Sequence, residues 1–254
     1  MSSQRSTSSL RVGTILRAAL EVFRARPKQF LQALALSTIA IAVLESFYLG
    51  DEDGLWQPVI VLLLSSVPYT LFAVSCHRLT LLRPGAVPAY GQISWTWRET
   101  RFFGWSTAVA VIALAPLLPL WAIVGALFAT MIIDVASASE SVARFMWLWY
   151  VSLIPFYYLV SRMSLVLPAT AIDQRPTLTW AWKASRAEQG PMFVLVGLLP
   201  LVFSALGMLQ RDGASIYEAF LIRLVGLVLL AFEVVTLSLV YRHLMRRRDK
   251  TAQA

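Results

Sequence analysis

The chain has 254 residues, of which 58% are hydrophobic and only 14% are charged, and its mean hydropathy is +0.67. Soluble domains carry about a quarter of their residues as charged side chains, so this composition excludes an ordinary soluble globular domain. The net charge is +8 and there is one cysteine, which excludes an intramolecular disulfide and a multi-cysteine metal site.

The first predicted element is an amphipathic helix near the start of the chain. Its apolar positions recur at helical spacing and so share one face: Val12, Ile15, Leu16, Ala19, Leu20 and Phe23. Arg17, Glu21, Arg24 and Lys28 line the opposite face. A helix with one apolar and one cationic side is suited to the headgroup plane of an anionic membrane. Residues 1–28 are therefore predicted to form a polar N-terminus and an interfacial helix.

Six apolar runs follow, each long enough to cross a hydrocarbon core of ~30 Å as a helix. They cover residues 29–48, 58–77, 102–128, 145–167, 191–209 and 220–241. Pro116 and Pro119 interrupt the long run at 102–133, which is either one kinked helix or a span followed by an interfacial segment. We predict an all-α polytopic membrane domain at residues 29–241, followed by a basic cytoplasmic tail at 242–254.

The distribution of basic residues predicts the orientation of the bundle. The N-terminus, the 77–101 loop, the 162–190 region and the C-terminus hold 19 of the 22 Lys and Arg residues. Because loops rich in Lys and Arg stay in the cytoplasm, we expect both termini on the cytoplasmic side of a bacterial-type inner (plasma) membrane. An even number of spans agrees with that placement.

The chain also shows a loose internal periodicity. Arg78, Arg162 and Arg242 stand at the ends of the second, fourth and sixth spans, 84 and 80 residues apart. Basic, aromatic-rich stretches precede the first, third and fifth spans. The pattern predicts three copies of one unit in the same orientation: an interfacial helix, a span, an outer turn, a span and an arginine.

Two charged residues inside apolar runs are the strongest candidates for a buried site. Glu233 lies near the middle of the sixth span, and Arg162 lies toward the cytoplasmic end of the fourth. Charged side chains are costly in the hydrocarbon region and pair with a partner. Counted from the outer ends, their depths differ by about 6 Å at ~1.5 Å per residue. We predict an intramembrane ion pair, which is either structural or part of a proton- or substrate-binding site. A protonated Glu233 facing lipid is the third interpretation.

No catalytic pattern is present, so no enzymatic activity is predicted. The two histidines, His77 and His243, can bind zinc only with further ligands, and we predict neither a metal nor a cofactor. Cys76 is expected to pack as a small apolar side chain. The basic stretches adjoin spans, where lipid phosphates are the nearest anions, so no nucleic-acid partner is expected.

Two stretches of the chain carry a resemblance to a known family. They are the N-terminal "ILRAALEVFRARPKQFL", which leads into the first span, and "SRMSLVLPATAID", which is followed by "WAWKASRAEQG" and another span. The pattern resembles the membrane domain of some bacterial glycerophosphoryl diester phosphodiesterases and the stand-alone YciC-type inner-membrane proteins. Arg162, Pro168, Ser185 and Gly190 occupy the family's positions. The catalytic barrel and its His-Arg-Gly opening are absent, since Leu79 follows His77 and Arg78. The resemblance therefore implies a membrane architecture and no activity.

The function we expect is that of a non-catalytic membrane scaffold or lipid-associating protein. Its basic cytoplasmic collar would contact anionic lipid through Arg11, Arg17, Arg24, Arg26, Lys28, Arg98, Arg101, Lys183, Arg186, Arg246, Arg247 and Arg248. The alternative within this interpretation is that these cations only set topology. A different function, a small-solute or proton-coupled transporter or channel, would use Glu233 and Arg162. Protein partners and oligomeric state are not predicted.

Overall fold

The computed structural model describes residues 10–48, 56–88, 90–91, 93–134, 150–207 and 216–252, and most of them are helical. No β-strand occurs among those residues. The all-α class predicted from the apolar runs is confirmed. Residues 1–9 of the predicted N-terminal segment, residues 145–149 and 208–209 of the predicted spans, and 253–254 of the predicted tail lie outside the described residues.

The first half of the chain forms five helices, α1 to α5. In chain order they cover Val12–Ala25, Pro27–Tyr48, Gln57–Leu81, Trp97–Leu114 and Leu117–Asp134. The second half is more finely divided. Helices α6 to α9 cover Ile154–Met163, Val166–Ala171, Leu178–Ala184 and Gln189–Met192, and a 3-10 turn at Arg186–Glu188 precedes α9. A π-helical segment at Phe193–Leu198 leads into α10, Leu199–Gly207, and the long α11 covers Ile216–Ala252.

Five helical segments are long and apolar enough to cross a membrane. They are Pro27–Leu44, Val59–Leu81, Tyr150–Ala171, Arg186–Phe203 and Phe220–Asp249. Each overlaps one of the predicted spans. The pair formed by α4 and α5 passes the same test jointly, so the described residues contain five such segments, or six if this pair is one span. These apolar helices are compatible with a multi-pass membrane protein, and the count of six remains a prediction.

The third predicted span is the irregular one, as its prolines indicated. Helix α4 ends at Leu114, and α5 begins at Leu117 after a bend of 47°. Pro116 stands in the break. Proline has no backbone N–H and its ring clashes with the preceding turn, so a helix kinks or ends there. The bend leaves two geometries for this pair, a broken span or a re-entrant segment.

Helix α1 is amphipathic as predicted, but the protein itself covers much of its apolar face. Ile15 and Ala19 are buried, and Val12, Leu16 and Phe23 pack against the main core. The polar positions Arg17, Glu21 and Arg24 are exposed. Lys28 was predicted on the same helix and is also exposed, but it lies in α2, because α1 ends at Ala25. Leu20 was predicted on the apolar face and is 48% exposed. Helix α1 thus packs onto α11 and α2 and leaves its cationic face and Leu20 exposed.

The core and the outer surface of the bundle are both apolar. Phe72 and Cys76 of α3 and Val235 and Val240 of α11 are fully buried, and Cys76 packs in the core as predicted. Large apolar side chains also point outward from the spans, among them Leu31, Ile39, Leu62, Leu63, Ile123 and Val228. In water such a surface would aggregate, whereas hydrocarbon accommodates it.

One end of the bundle gathers most of the polar contacts. We call it the basic end and define it as α1, the end of α3 and the turn after it, the start of α4, residues 172–192 and the end of α11. Residues 172–192 cross this end and contact both α3 and α11 through side chains. At the start of α4, Thr96 and Glu99 form a capping box, which satisfies backbone N–H groups that the helix leaves free. These contacts position the charged residues described next.

Candidate functional site

Arg162 is the most buried cation among the described residues, with 3% of its surface exposed. It lies in the last turn of α6, and the segment that follows folds back over it. Its Nε donates to Ser185 Oγ at 2.6 Å, and Nη2 donates to the carbonyl of Trp182 at 2.8 Å. Its Nη1 donates to the Tyr158 hydroxyl and to Gln189 Oε1, both at 3.1 Å. Four of the five guanidinium N–H groups therefore have neutral partners.

The ion pair predicted between Arg162 and Glu233 is not formed. The guanidinium carbon of Arg162 lies 4.1 Å from the ring centroid of Trp182, which adds a cation–π contact. Glu233 is half-buried and takes part in no hydrogen bond or ion pair within the described part of the chain. The depth argument failed because residues 182–189 supply acceptors closer than any on α11. The guanidinium is held by a neighbouring segment rather than by a carboxylate.

Glu188 links three separate parts of the basic end. Its carboxylate is 5% exposed. Oε2 accepts a hydrogen bond from the backbone N–H of Leu10 at 3.3 Å, and Oε1 accepts one from Arg247. The 3-10 turn that carries Glu188 is thus joined to the start of the described chain and to the end of α11. This contact fixes α1 against the C-terminal helix.

A second ionic cluster joins α3, α4 and the turn after α7. Asp173 Oδ2 accepts from Arg78 at 3.2 Å and from Arg98 at 3.3 Å. Arg98 Nε also donates to the buried Glu99 at 2.8 Å. Asp173 adopts a φ of 64° and its side chain is 57% exposed, so solvent screens its pairs and each contributes at most about 1 kcal/mol. The cluster pairs Arg98, which the sequence analysis had assigned to lipid, with carboxylates of the chain itself.

The predicted lipid-contacting cations divide into two groups in the structure. The exposed ones are Arg11, Arg17, Arg24, Lys28, Lys183, Arg186, Arg246 and Arg248. The partly buried ones are Arg26, Arg98, Arg101 and Arg247. Arg98 and Arg247 bind carboxylates of the chain itself, and Arg101 has a buried Nε without a hydrogen-bond partner among the described residues. The exposed group is therefore the part of the predicted collar that lipid can reach.

A polar cavity of about 250 Å³ lies between the start of α2 and the turn after α3. Its lining consists of Arg26, Gln29, Gln32, Leu79, Arg83, Pro84, Gly85, Val87 and Pro88. Arg26 Nη1 donates to the carbonyl of Leu79 at 3.0 Å, which ties one wall to the other. Arg83 is exposed, and its side chain makes no hydrogen bond or ion pair within the described residues.

Sequence reasoning missed this cavity. Arg83 stands alone in the turn "LLRPGAVP", and Gln29 and Gln32 are ordinary polar positions at the start of a span. No pattern joins residues 26–32 to residues 79–88, because they are brought together only when α2 packs on α3. A basic residue next to Pro-Gly just beyond a span was the one available signal, and it indicates a turn rather than a site.

A separate apolar cleft lies on another face of α2. It measures about 310 Å³ and runs between α2 and α11. Its lining is Phe23, Pro27, Phe30, Leu31, Leu34, Ala35, Thr38, Phe72, Leu224, Leu227, Val228 and Ala231. With Thr38 as its only polar side chain, the cleft offers an ion no partner.

The histidines do not assemble a metal site in the described residues. His77 is 1% exposed, and its Nδ1 lies 2.7 Å from Ser238 Oγ, so it is a hydrogen-bonded core residue between α3 and α11. His243 lies almost three turns of helix from Glu233 on α11 and has a buried Nε2 without a partner among the described residues. No group of three or more His, Cys, Asp and Glu side chains there could hold a metal ion.

Comparison with known proteins gives no match: no family model, no curated protein and no solved structure is similar to the chain. The resemblance to the phosphodiesterase membrane domain is therefore untested by relatives. Within the structure, two of the four residues that carry it, Arg162 and Ser185, are in direct contact.

Proposed function

We propose that this chain is an integral membrane protein that associates with anionic lipid through its basic end and has no catalytic role. The observation that carries the proposal is the grouping of exposed cations around one end of an apolar bundle. Arg17 and Arg24 lie on α1, Lys183 and Arg186 lie on the 172–192 segment, and Arg246 lies on α11. Arg24, Lys183, Arg186 and Arg246 stand within or beside a segment able to span a membrane. Arg17 stands on the amphipathic helix that leads into one, so lipid phosphate is the nearest anion for the whole group.

The size of the expected effect follows from the number of cations that are exposed. A Lys or Arg close to an anionic surface contributes about 1 kcal/mol of attraction. Arg98 and Arg247 are already paired with Glu99 and Glu188, so we assign them to the protein's own stability. The exposed cations together still provide enough attraction to retain anionic lipid through purification in mild detergent.

The proposed location is a bacterial-type inner membrane with both termini in the cytoplasm. It is supported by the excess of Lys and Arg on one side of the spans, which is the property that sets topology. Single cysteines introduced at Arg186 and at Asp53 in a Cys76→Ser background would test it. A membrane-impermeant maleimide should label position 186 only after the cells are permeabilised, and position 53 in intact cells. The reverse pattern would invert the proposed orientation.

Lipid association is tested by native mass spectrometry of the gently purified protein. A triple variant, Arg17→Gln, Arg24→Gln and Arg246→Gln, removes three cations from the basic end. The matched control, Arg144→Gln, Arg211→Gln and Arg223→Gln, removes the same charge from residues predicted to lie on the opposite side. We expect the first variant to retain anionic lipid about tenfold less well than the wild type, and the control to retain it normally. Equal retention of anionic lipid by both variants would show that the cations of the basic end only set topology.

A further inference from the structure

We infer that the cavity between α2 and the turn after α3 binds a phosphate group, with Arg26 and Arg83 as its cations. The phosphate is either that of a lipid headgroup or that of a soluble phosphate, and the two sources share the same recognition chemistry. The inference deepens the proposed function and rests on it only for the lipid source. It assigns a discrete site, whereas the proposed function needs only a diffuse cationic surface.

The lining of the cavity has the composition of an anion site. It contains two guanidinium groups and two carboxamides, and no carboxylate. Arg26 uses one N–H on the carbonyl of Leu79, so four of its five donors are left for a ligand. Arg83 has no partner among the described residues and keeps all of its donors. Gln29 and Gln32 add amide N–H groups. Two arginines that converge on one space match the planar, bidentate geometry that phosphate accepts.

The contrast with the neighbouring ionic cluster supports the same conclusion. Arg78 and Arg98 share Asp173, and Arg98 also binds Glu99. Those arginines are neutralised by the chain itself, whereas Arg26 and Arg83 face a cavity with no acidic side chain in its lining. Two cations held on opposite walls without a counter-ion repel one another, and a bound anion removes that repulsion.

The position of the cavity places it at the level of lipid headgroups. Arg26 comes directly before the apolar segment Pro27–Leu44, and Arg83 follows two residues after the apolar segment Val59–Leu81. The volume of about 250 Å³ equals that of about eight water molecules at ~30 Å³ each, which is enough for a phosphate and a small substituent. A headgroup at the surface of the bundle therefore reaches the cavity without entering the core.

The turn that forms the outer wall is held in place on α2. Gly91 has a φ of 73°, and a Cβ at this position would lie 2.2 Å from the carbonyl oxygen of Ala33. Only glycine allows this close approach of two backbones. The Gly91 N–H donates to the carbonyl of Pro88 at 2.9 Å, and Ala86 N–H donates to that of Arg83 at 3.2 Å. A wall fixed in this way lowers the ordering cost of binding.

The test compares Arg83→Gln with Arg175→Gln. Both residues are exposed arginines of the basic end whose side chains make no hydrogen bond or ion pair within the described residues, but only Arg83 lines the cavity. Each variant loses one charge, and neither loses a structural bond, so both should fold. The first probe is a short-chain phosphatidic acid titrated onto the detergent-solubilised protein and followed by native mass spectrometry. The second probe is inorganic phosphate, followed by the shift in thermal unfolding against an equal ionic strength of chloride.

The expected result is at least a fivefold loss of first-site phosphatidic acid affinity in Arg83→Gln and no change in Arg175→Gln. Stabilisation of the wild type by inorganic phosphate, reduced in Arg83→Gln alone, would also support the site and identify a soluble phosphate as its ligand. Equal behaviour of the two variants with both probes would overturn the inference. The triple variant (Arg17→Gln, Arg24→Gln and Arg246→Gln) separates this inference from the proposed function. If it retains lipid normally while Arg83→Gln loses inorganic phosphate binding, the proposed function fails and the site stands. If the triple variant loses lipid but Arg83→Gln and Arg175→Gln bind both probes equally well, the inferred site fails and the proposed function stands.

Discussion

Arg162 and Arg83 lie at the same end of the bundle, and their guanidinium groups have opposite surroundings. Arg162 is buried and donates to Ser185, Trp182, Tyr158 and Gln189. Arg83 is exposed beside a cavity, and its side chain bonds to nothing within the described residues. Arg162 donates four of its five N–H groups to the protein, whereas Arg83 keeps all five side-chain N–H groups available.

This difference separates structural from ligand-binding cations better than position in the sequence does. Both arginines follow an apolar run, and a sequence rule based on charge inside a hydrophobic segment selects Arg162. Its neutral partners leave it little capacity for a ligand, because one N–H is free and only 3% of the residue is exposed. Arg83 lies outside any apolar run and offers five donors. Removing the first should cost stability, and removing the second should cost binding.

The largest effect is expected from Arg162→Leu. The substitution removes four hydrogen bonds and leaves Ser185 Oγ, which is fully buried, without its donor. A buried polar group that loses its partner costs about 1–3 kcal/mol, and the loss of the contact with Trp182 adds to it, so we expect a decrease of about 2–4 kcal/mol in the free energy of unfolding. Unfolding in mild detergent, followed by tryptophan fluorescence, measures it.

Two further variants sharpen that measurement. Arg162→Lys keeps the charge but loses the planar fork and its stacking on Trp182, so it should recover less than half of the loss. Arg186→Gln removes a nearby exposed arginine and should change stability by less than about 0.5 kcal/mol. A full rescue by lysine would show that charge alone matters at position 162 and would contradict the role given to its hydrogen bonds.

Gly91→Ala should distort the cavity without removing a charge. The added methyl group would overlap the carbonyl oxygen of Ala33, and the positive φ is itself unfavourable for alanine by about 1–2 kcal/mol. We expect a stability loss of about 2 kcal/mol together with weaker first-site binding of phosphatidic acid. Gly104→Ala, in α4 with nothing within 4 Å of its Cβ and outside the cavity lining, is the control and should bind phosphatidic acid as the wild type does. Equal losses of phosphatidic acid binding in the two variants would show that the contact of Gly91 with Ala33 does not shape the cavity.

Glu188→Gln should loosen the attachment of α1 to the C-terminal helix. The amide keeps an acceptor for Leu10 N–H but loses the charge that faces Arg247. Because Arg247 is 36% exposed, we expect a modest loss of about 1–2 kcal/mol. Faster hydrogen exchange across residues 12–25 would report it directly. The charge-reversed pair, Glu188→Arg with Arg247→Glu, should restore part of the protection, and exchange rates unchanged in Glu188→Gln would show that apolar packing alone holds α1.

The elements that were predictable from the sequence are those set by local pattern. Helix α1, the apolar spans and the bend at Pro116 follow from periodicity, run length and the chemistry of proline. The burial of Cys76 follows from its apolar surroundings. The partners of Arg162 did not follow, because Trp182, Ser185 and Gln189 are 20 to 27 residues away and reach it only after the chain turns back. The π-helical segment at Phe193–Leu198 was also missed.

The candidate site was less predictable than the fold for the same reason. The list of basic residues came from counting charge, and counting cannot tell an exposed cation such as Arg24 from one paired with a carboxylate, such as Arg98. Arg83 was left out because it is isolated in sequence. Its importance comes from the packing of α2 on α3, which brings Arg26 and Gln29 to face it.

The smallest effect is expected from Glu233→Gln. Glu233 is half-buried and forms no hydrogen bond or ion pair in the described part of the chain, so its replacement breaks no contact and should change stability by less than about 0.5 kcal/mol. Binding of phosphatidic acid should be unchanged, since the cavity lining does not include this residue. Proton flux into proteoliposomes under an imposed potential, measured with a pH-sensitive dye, is the decisive comparison. Empty liposomes, the wild type and Glu233→Gln should give the same rate if the protein is a lipid-associating one. A wild-type proton flux that Glu233→Gln abolishes would instead establish the transporter function and identify Glu233, rather than the arginines, as the functional residue.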